Sequence, residues 1–175
     1  MFDETIATTS WWKRYRTDVA VGQPHRIEVV FRSLAPGQGA HDRRRRIVHR
    51  LEEAANTVLL DSYDLRIVGE ALCLCEDCTE TRLGHFVHDT LSTLREGGSD
   101  AVDPLAFSTR TVDSRMTGEH YTLLVPPEVS LAVYVDGSLR GVFPADVEGV
   151  TVSVTDFLDA FTSLDDAQVT PQVEV

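Results

Sequence analysis

All three cysteines of the chain lie within six residues, at Cys73, Cys75 and Cys78. Thiolates bind zinc and other soft metals tightly, and a Cys-x-x-Cys turn supplies half of many structural zinc sites. An odd, clustered set of cysteines is not typical of a disulfide framework. The spacing therefore leaves three interpretations open. The thiols form a metal site with zinc as the candidate cofactor, Cys75 and Cys78 form a redox pair, or the thiols pack as small apolar side chains.

Two histidines downstream of the cysteines, His85 and His88, are candidates for completing a zinc site. If a helix begins near Cys78, they lie roughly 10.5 Å and roughly 15 Å further along its axis. Zinc–ligand bonds are only about 2.0–2.3 Å long. We therefore expect these histidines to be exposed on the helix. A fourth ligand would then come from elsewhere in the chain or from a second copy in a homodimer.

A second group of reactive side chains is basic, because residues 40–50 hold five arginines against one aspartate. They follow the Pro-Gly-Gln-Gly loop at 36–39 and begin a predicted helix, whose free backbone N–H groups favour anions. Arg44 lies three residues before Ile47, on the apolar side of that helix, and should lean over the end of the preceding strand. The alternative is a solvated basic stripe that pairs with acidic neighbours. The predicted anion-binding or nucleic-acid-binding residues are Gly37, Gly39, Arg43, Arg44, Arg46 and Arg50.

The composition is that of one globular domain, with 175 residues, a net charge of −12 and 42% apolar residues. These values exclude collagen-like, low-complexity and fully disordered chains. No apolar run approaches the roughly 18 residues that a membrane helix needs, so we expect no membrane association. Lys13 is the single lysine among 16 basic residues. An acidic, lysine-poor surface suits a salt-rich cytoplasm, although genome base composition would also produce it. In high salt, a negative net charge does not exclude nucleic acid as a partner.

The sequence favours a binding protein over an enzyme. No nucleophile elbow, P-loop or His-Glu-x-x-His motif is present. The first ten residues lack the apolar stretch of a secretory signal. We therefore expect a cytoplasmic location, where the thiols would stay reduced.

Hydrophobic periodicity predicts alternating strands and helices. Asp77 and Glu80 resemble a capping box at the start of the second helix, which Gly97 and Gly98 would end. The Asp136-Gly137 pair predicts a hairpin turn, and Ser153 with Asp156 would cap the last helix. The predicted strands are 27–34, 65–74 with a bulge at Gly69, 105–112, 121–125, 130–136 and 139–143, and the predicted helices are 40–56, 77–96 and 153–164.

This order predicts an α/β fold with a single mixed sheet and helices on its faces. The segment 125–129 (Val-Pro-Pro-Glu-Val), the hairpin strands around Asp136-Gly137 and the closing helix resemble the thioredoxin-like order β-α-β-α-β-β-α. A ferredoxin-like sheet is the alternative. The resemblance implies a cis-proline before the third strand, at Pro126 or Pro127. It also places a redox dithiol after the first strand, but residues 34–41 contain no cysteine.

Three further segments carry a closer resemblance over residues 26–164. They are 32–36 (Arg-Ser-Leu-Ala-Pro), 117–122 (Thr-Gly-Glu-His-Tyr-Thr) and 134–137 (Tyr-Val-Asp-Gly). They are similar to a family of small haloarchaeal proteins that often carry a helix-turn-helix label, which implies DNA binding. A strand separates the first two predicted helices, where a helix-turn-helix motif would have a turn of three or four residues.

We interpret residues 1–24 as an N-terminal arm, 25–164 as one α/β domain and 165–175 as an acidic disordered tail. Trp11 and Trp12 in the arm would either pack onto an apolar groove or contact nucleic acid. The expected function is a small binding or regulatory domain with a thiolate site at the three cysteines. The alternatives are a DNA-binding regulator that uses Arg43, Arg44, Arg45, Arg46 and Arg50 of the basic helix, and a thioredoxin-like thiol oxidoreductase that works through Cys75 and Cys78.

Overall fold

The computed structural model describes residues 5–32, 39–81, 89, 92–94 and 102–168. A short 3₁₀ helix (Ile6–Thr8) precedes α1 (Ser10–Ala20), α2 (Ala40–Ala55), α3 (Glu76–Thr79) and α4 (Val154–Gln168). The strands are β1 (His25–Phe31), β2 (Ser62–Ile67), β3 (Leu72–Cys73), β4 (Val102–Pro104), β5 (Ser108–Asp113), β6 (His120–Val125), β7 (Val129–Val135), β8 (Ser138–Phe143), β9 (Ala145–Val147) and β10 (Val150–Val152).

The principal sheet has four strands in the order β2-β1-β7-β8. β1 pairs in parallel with β2, with Val29 opposite Leu65, and antiparallel with β7, with Val29 opposite Leu131. Ile27, Val29 and Val30 are fully buried, because both faces of this strand are covered. The parallel β1–β2 pair needs a crossover connection, and α2 supplies it.

The prediction of a single mixed sheet is wrong, since the described strands form three sheets. The predicted strand 65–74 is two strands in different sheets: β2 pairs with β1, whereas β3 pairs with β6. Residues 68–71, which include Gly69, lie between β2 and β3. The two smaller sheets have the strand orders β10-β9-β4 and β3-β6-β5. In each of them two strands are consecutive in the sequence, and the third strand, β4 or β3, comes from earlier in the chain.

The segment expected to be an arm is part of the core. Trp11, Trp12 and Tyr15 project from α1 and are buried against Phe143 and Phe157. Thr9 caps the helix by accepting a hydrogen bond from the Trp12 amide at 3.1 Å. Both indoles are therefore inside the molecule and unable to stack on the bases of a nucleic acid.

The two faces of the principal sheet have separate cores. Helices α1, α2 and α4 cover one face, where Ile47, Leu51 and Phe161 belong to the larger cluster of buried side chains. The other face carries Val30, Ala132 and Val142, which pack with Val68, Leu72, Leu94 and Leu124. The sheet that contains β3 and β6 therefore covers the second face.

Two short-range predictions are confirmed at atomic detail. Asp136 and Gly137 both have positive φ, 49° and 77°, as a two-residue turn between β7 and β8 requires. The Ser153 amide donates to Asp156 Oδ2 at 2.9 Å, and the Asp156 amide donates to Ser153 Oγ at 3.1 Å. This reciprocal pair caps α4.

Three other expectations differ from the structure. The cis peptide bond among the described residues joins Phe143 to Pro144, so the expectation of a cis bond at Pro126 or Pro127 is wrong. Helix α4 continues to Gln168, so the predicted disordered tail begins within a helix, and residues 169–175 lie outside the described ranges. Helix α3 ends at Thr79, and bends at Glu80 and Thr81 interrupt the long helix predicted from residue 77.

Replacing Trp12 by alanine tests the burial of α1. The Trp12→Ala variant should lose about 3–5 kcal/mol of unfolding free energy, because a buried aromatic side chain leaves a cavity. Arg16→Ala on the exposed side of the same helix should change stability by less than about 0.5 kcal/mol. Urea unfolding monitored by circular dichroism, which does not rely on tryptophan fluorescence, measures both variants. Equal stabilities of the two variants would contradict the packing of α1.

Tyr15→Phe tests a buried hydroxyl that has no hydrogen-bond partner among the described residues. Burial, and next the charge of Asp18, raise the pKa of Tyr15 well above its usual value. Because the pKa of Tyr15 is higher in the folded than in the unfolded protein, the neutral hydroxyl contributes stability below the unfolded-state pKa of about 10. This contribution is lost as the pH rises above that value. At about pH 8, the unfolding free energy of Tyr15→Phe should equal or exceed that of the parent protein. Between about pH 8 and about pH 11, the variant should lose less unfolding free energy than the parent does. Parallel unfolding curves at both pH values check this, and an equal loss in both proteins would contradict it.

Candidate functional site

The sulfur atoms of Cys73, Cys75 and Cys78 all lie within 4.8 Å of one another. The sulfurs of Cys73 and Cys75 are 3.1 Å apart. Cys73 lies in β3, opposite Leu123 of β6, whereas Cys75 is the N-cap of α3 and Cys78 lies within that helix. A strand end and a single helical turn therefore bring the three thiols together, as a metal site requires.

Hydrogen bonds among the thiols make their acidities unequal. The Cys73 thiol, and then the thiol and backbone N–H of Cys78, donate to Cys75 and lower its pKa. The hydrogen bonds to Cys75 and Cys73 favour the protonated form of Cys78 and raise its pKa to about 12. Cys73 and Cys75 are partly exposed and Cys78 is exposed. The group is accessible and holds its first negative charge most readily at Cys75.

The distance argument against His85 and His88 does not apply to the observed structure. That argument requires one helix to run from Cys78 through both histidines, but α3 ends at Thr79. Both histidines lie outside the described residues. Among the described histidines, aspartates and glutamates, none joins the three cysteines in one group of close ligand atoms.

The arginines of α2 divide into paired and unpaired side chains. Arg43 Nη1 lies 3.1 Å from Glu128, and Arg50 Nη2 lies 3.0 Å from Asp159. Arg45 and Arg46 are exposed and have no ion-pair partner among the described residues. The helix therefore keeps unneutralised positive charge on its outer surface.

Arg44 leans over the end of β1, as its helical position predicts. Its guanidinium carbon lies 4.9 Å from the centre of the Phe31 ring, and its buried Nε has no partner among the described residues. Beside it is an open groove of ≈ 880 Å³, where Phe31, Val48 and Ile67 supply apolar surface. The charged lining is mixed, with arginines such as Arg44 and Arg45 beside Asp42 and Glu52.

The N-terminus of α2 begins after Gly39, which has a φ of 86° and is the N-cap. A glycine suits this left-handed conformation because other side chains are strained there. Because Gly39 has no side chain, the N-cap makes no side-chain hydrogen bond to the first amides of the helix. Gly37, the other glycine of the predicted anion site, lies outside the described residues.

A buried carboxylate, Glu28, was not singled out from the sequence. It lies on β1, with 7% of its side chain exposed, between Arg26 Nη1 and Arg66 Nε, each 3.2 Å away. Arg26 also contacts Asp64 and lies over the Tyr134 ring at 4.1 Å from its centre. A glutamate inside the otherwise apolar run Ile-Glu-Val-Val-Phe was the available signal. Because its charge is matched by two arginines, Glu28 stabilises the β1–β2 pair.

A comparison with protein families gives one match. The family described as a helix-turn-helix domain matches residues 20–166 of the chain. The chain belongs to this family. No curated protein and no solved structure matches it.

The helix-turn-helix description can be compared with the described helices. A strand follows α1 and another follows α2, and α3 leads into bends at Glu80 and Thr81. Within the described ranges, two α-helices joined by a short turn are therefore not observed. In the same ranges, no helix has both the length and the apolar character that crossing a bilayer requires.

Glu28→Gln tests the ion-pair group on β1. The variant keeps the size of the side chain but leaves two arginines without their shared carboxylate, so stability should fall by about 1–3 kcal/mol. Asp64→Asn, which removes the exposed partner of Arg26, should cost less than about 1 kcal/mol. Denaturant unfolding of the two variants distinguishes these values, and equal effects would show that burial of Glu28 is unimportant.

Proposed function

We propose that the protein is a DNA-binding regulator that contacts the phosphate backbone through α2. Membership of the helix-turn-helix family carries this proposal. Arg45 and Arg46 support it, because both are exposed, have no ion-pair partner among the described residues and can neutralise phosphates. Of the predicted residues Gly37, Gly39, Arg43, Arg44, Arg45, Arg46 and Arg50, the proposal assigns the phosphate contacts chiefly to Arg45 and Arg46.

The paired arginines have a different role in this proposal. Arg43 and Arg50 lie 3.1 Å and 3.0 Å from Glu128 and Asp159, so their charges are already matched within the protein. Arg44 lies over the Phe31 ring, with its guanidinium carbon 4.9 Å from the ring centre. Arg45 and Arg46 therefore make the principal phosphate contacts, and Arg44 adds to the local potential.

The net charge of −12 affects the conditions under which binding occurs. At low salt, an acidic protein is repelled by DNA at long range. At the ionic strength of a salt-rich, haloarchaeal-type cytoplasm, the Debye length falls to about 3 Å or less, so only contacting charges matter. This setting favours a few unpaired arginines over a large basic surface.

The oxidoreductase alternative has less support. We infer that β2, β1, β7 and β8, with α2 and α4, follow a thioredoxin-like order. Residues 68–125 then take the place of the second crossover. Fold likeness alone assigns no activity. In such a fold the dithiol would precede α2, whereas Cys75 and Cys78 lie within the inserted residues.

Binding to a DNA duplex of mixed sequence, followed by fluorescence anisotropy over a potassium chloride series, tests the proposal. The Arg45→Ala/Arg46→Ala variant should bind more weakly and reduce the slope of log affinity against log salt by about 2, since each phosphate contact contributes about 0.9. The control Arg43→Ala/Arg50→Ala changes the net charge equally on the same helix. It should keep a slope close to that of the parent.

Equal losses in the two double variants would contradict the assignment of the contacts to Arg45 and Arg46. Absence of binding by the parent over the entire salt series would overturn the DNA-binding function itself. Circular dichroism of each variant ensures that weaker binding is not caused by loss of α2.

A further inference from the structure

We propose that Cys73, Cys75 and Cys78 together bind one thiophilic metal ion, Zn²⁺ or Cu⁺. The inference is independent of DNA binding, since α2 and the three thiols lie on opposite faces of the principal sheet.

The separation of the sulfur atoms matches that of ligands around one ion. Sulfurs about 2.3 Å from a shared zinc ion are at most about 4.6 Å apart, and about 3.8 Å apart in a tetrahedron. All three sulfurs lie within 4.8 Å of one another, and the Cys73–Cys75 separation is 3.1 Å. All three sulfurs are therefore close enough to one another to share one ion.

The backbone around the thiols is already ordered for binding. Leu74, between the first two cysteines, donates its amide hydrogen to the Thr122 carbonyl at 2.9 Å, which joins this segment to β6. The Thr79 amide and hydroxyl both donate to the Cys75 carbonyl at 3.1 Å. These bonds fix the turn from Cys75 to Cys78, so little conformational entropy remains to be lost when a metal binds.

The electrostatic surroundings of the thiols also favour a cation. Glu76 and Asp77 lie in the first turn of α3, directly between the second and third cysteines. An ion of charge +1 or +2 would thus offset part of a locally negative surface.

Two other roles for the cysteines fit the structure less well. Thiols that merely fill a core are buried, whereas Cys73 and Cys75 are partly exposed and Cys78 is exposed. A disulfide would join two sulfurs at about 2.05 Å and leave the third without a role. Three converging, accessible thiols are the ligand set that soft metals select.

The exposure of the sulfurs allows an ion to reach them from solution. Cys78 is exposed, and Cys73 and Cys75 are partly exposed. Among the described residues, these cysteines are the one group of three or more His, Cys, Asp or Glu ligands close enough to share an ion. An ion can therefore reach the site without opening the fold.

Metal titration of the full-length, reduced and chelator-treated protein tests the inference. Co²⁺, a spectroscopic substitute for zinc, should bind at one ion per chain and produce thiolate-to-cobalt charge-transfer absorption. Zn²⁺ should displace it, and Cu⁺ should bind with the same stoichiometry. One equivalent of Zn²⁺ should protect all three thiols from alkylation, as read by mass spectrometry.

Single substitutions locate the site. Cys73→Ser, Cys75→Ser and Cys78→Ser should each weaken Co²⁺ binding at least as much as the roughly 10–100-fold typical for loss of an outer-shell partner. Met116→Ser is the matched control, because it replaces an exposed sulfur-containing side chain that is not part of the three-cysteine group. Its affinity should equal that of the parent. Because Cys78 is exposed, the Cys78→Ser variant should fold as the parent does. Circular dichroism before the titration checks this.

Three results would overturn the inference. The first is Co²⁺ binding without a charge-transfer band. The second is unchanged affinity in Cys78→Ser. The third is one ion for every two chains, which would require thiols from two copies. Rapid formation of a Cys73–Cys75 disulfide that no metal prevents would instead favour a redox role. Each result is independent of the anisotropy measurements on DNA, so failure of one proposal leaves the other intact.

Discussion

The pairing of β1 with a parallel neighbour on one side and an antiparallel neighbour on the other constrains the rest of the molecule. Parallel pairing with β2 obliges the chain to cross over a face of the sheet, which places the N-terminus of α2 near the end of β1. Antiparallel pairing with β7 brings Glu128 close to Arg43 and α4 close to α2. The division of the α2 arginines into paired and unpaired groups follows from this arrangement.

The same pairing separates the two chemical features of the protein. Side chains on alternate positions of β1 point to opposite faces, so Val29 belongs to the core under the helices and Val30 to the core under β3 and β6. The basic helix rests on the first core, whereas Leu72, next to Cys73, is buried in the second. A contact between the two features would have to pass through the sheet, whose central strand also carries the buried Glu28 ion-pair group.

The features that were predictable from the sequence depend on neighbours in the chain. The Asp136-Gly137 turn, the Ser153–Asp156 cap and the bounds of α2 follow from local backbone preferences and helical periodicity. The close approach of the three thiols was also indicated by their spacing, although only coordinates show that the sulfurs converge. The division of residues 65–74 between two sheets was not predictable, because it depends on β6, about 50 residues further along the chain.

The burial of α1 and of Glu28 also depends on distant partners. Trp11 and Trp12 gave too short an apolar pattern to identify the face that packs, and their aromatic partners, Phe143 and Phe157, are remote in sequence. Glu28 interrupts the apolar run Ile-Glu-Val-Val-Phe, but its pairing with Arg66 was not predictable, because Arg66 lies on another strand. For the same reason, the paired and unpaired arginines of α2 could not be separated before Glu128 and Asp159 were located.

The contacts of Trp11 have a consequence for how the chain is made. Its amide donates to Glu148 at 3.0 Å and its indole N–H donates to the Arg140 carbonyl at 3.1 Å, across 137 and 129 residues. During synthesis, α1 leaves the ribosome long before either partner exists, so its aromatic side chains lack their native partners until residues 140–148 have emerged. The native core therefore closes late, after more than a hundred further residues have been added to the chain.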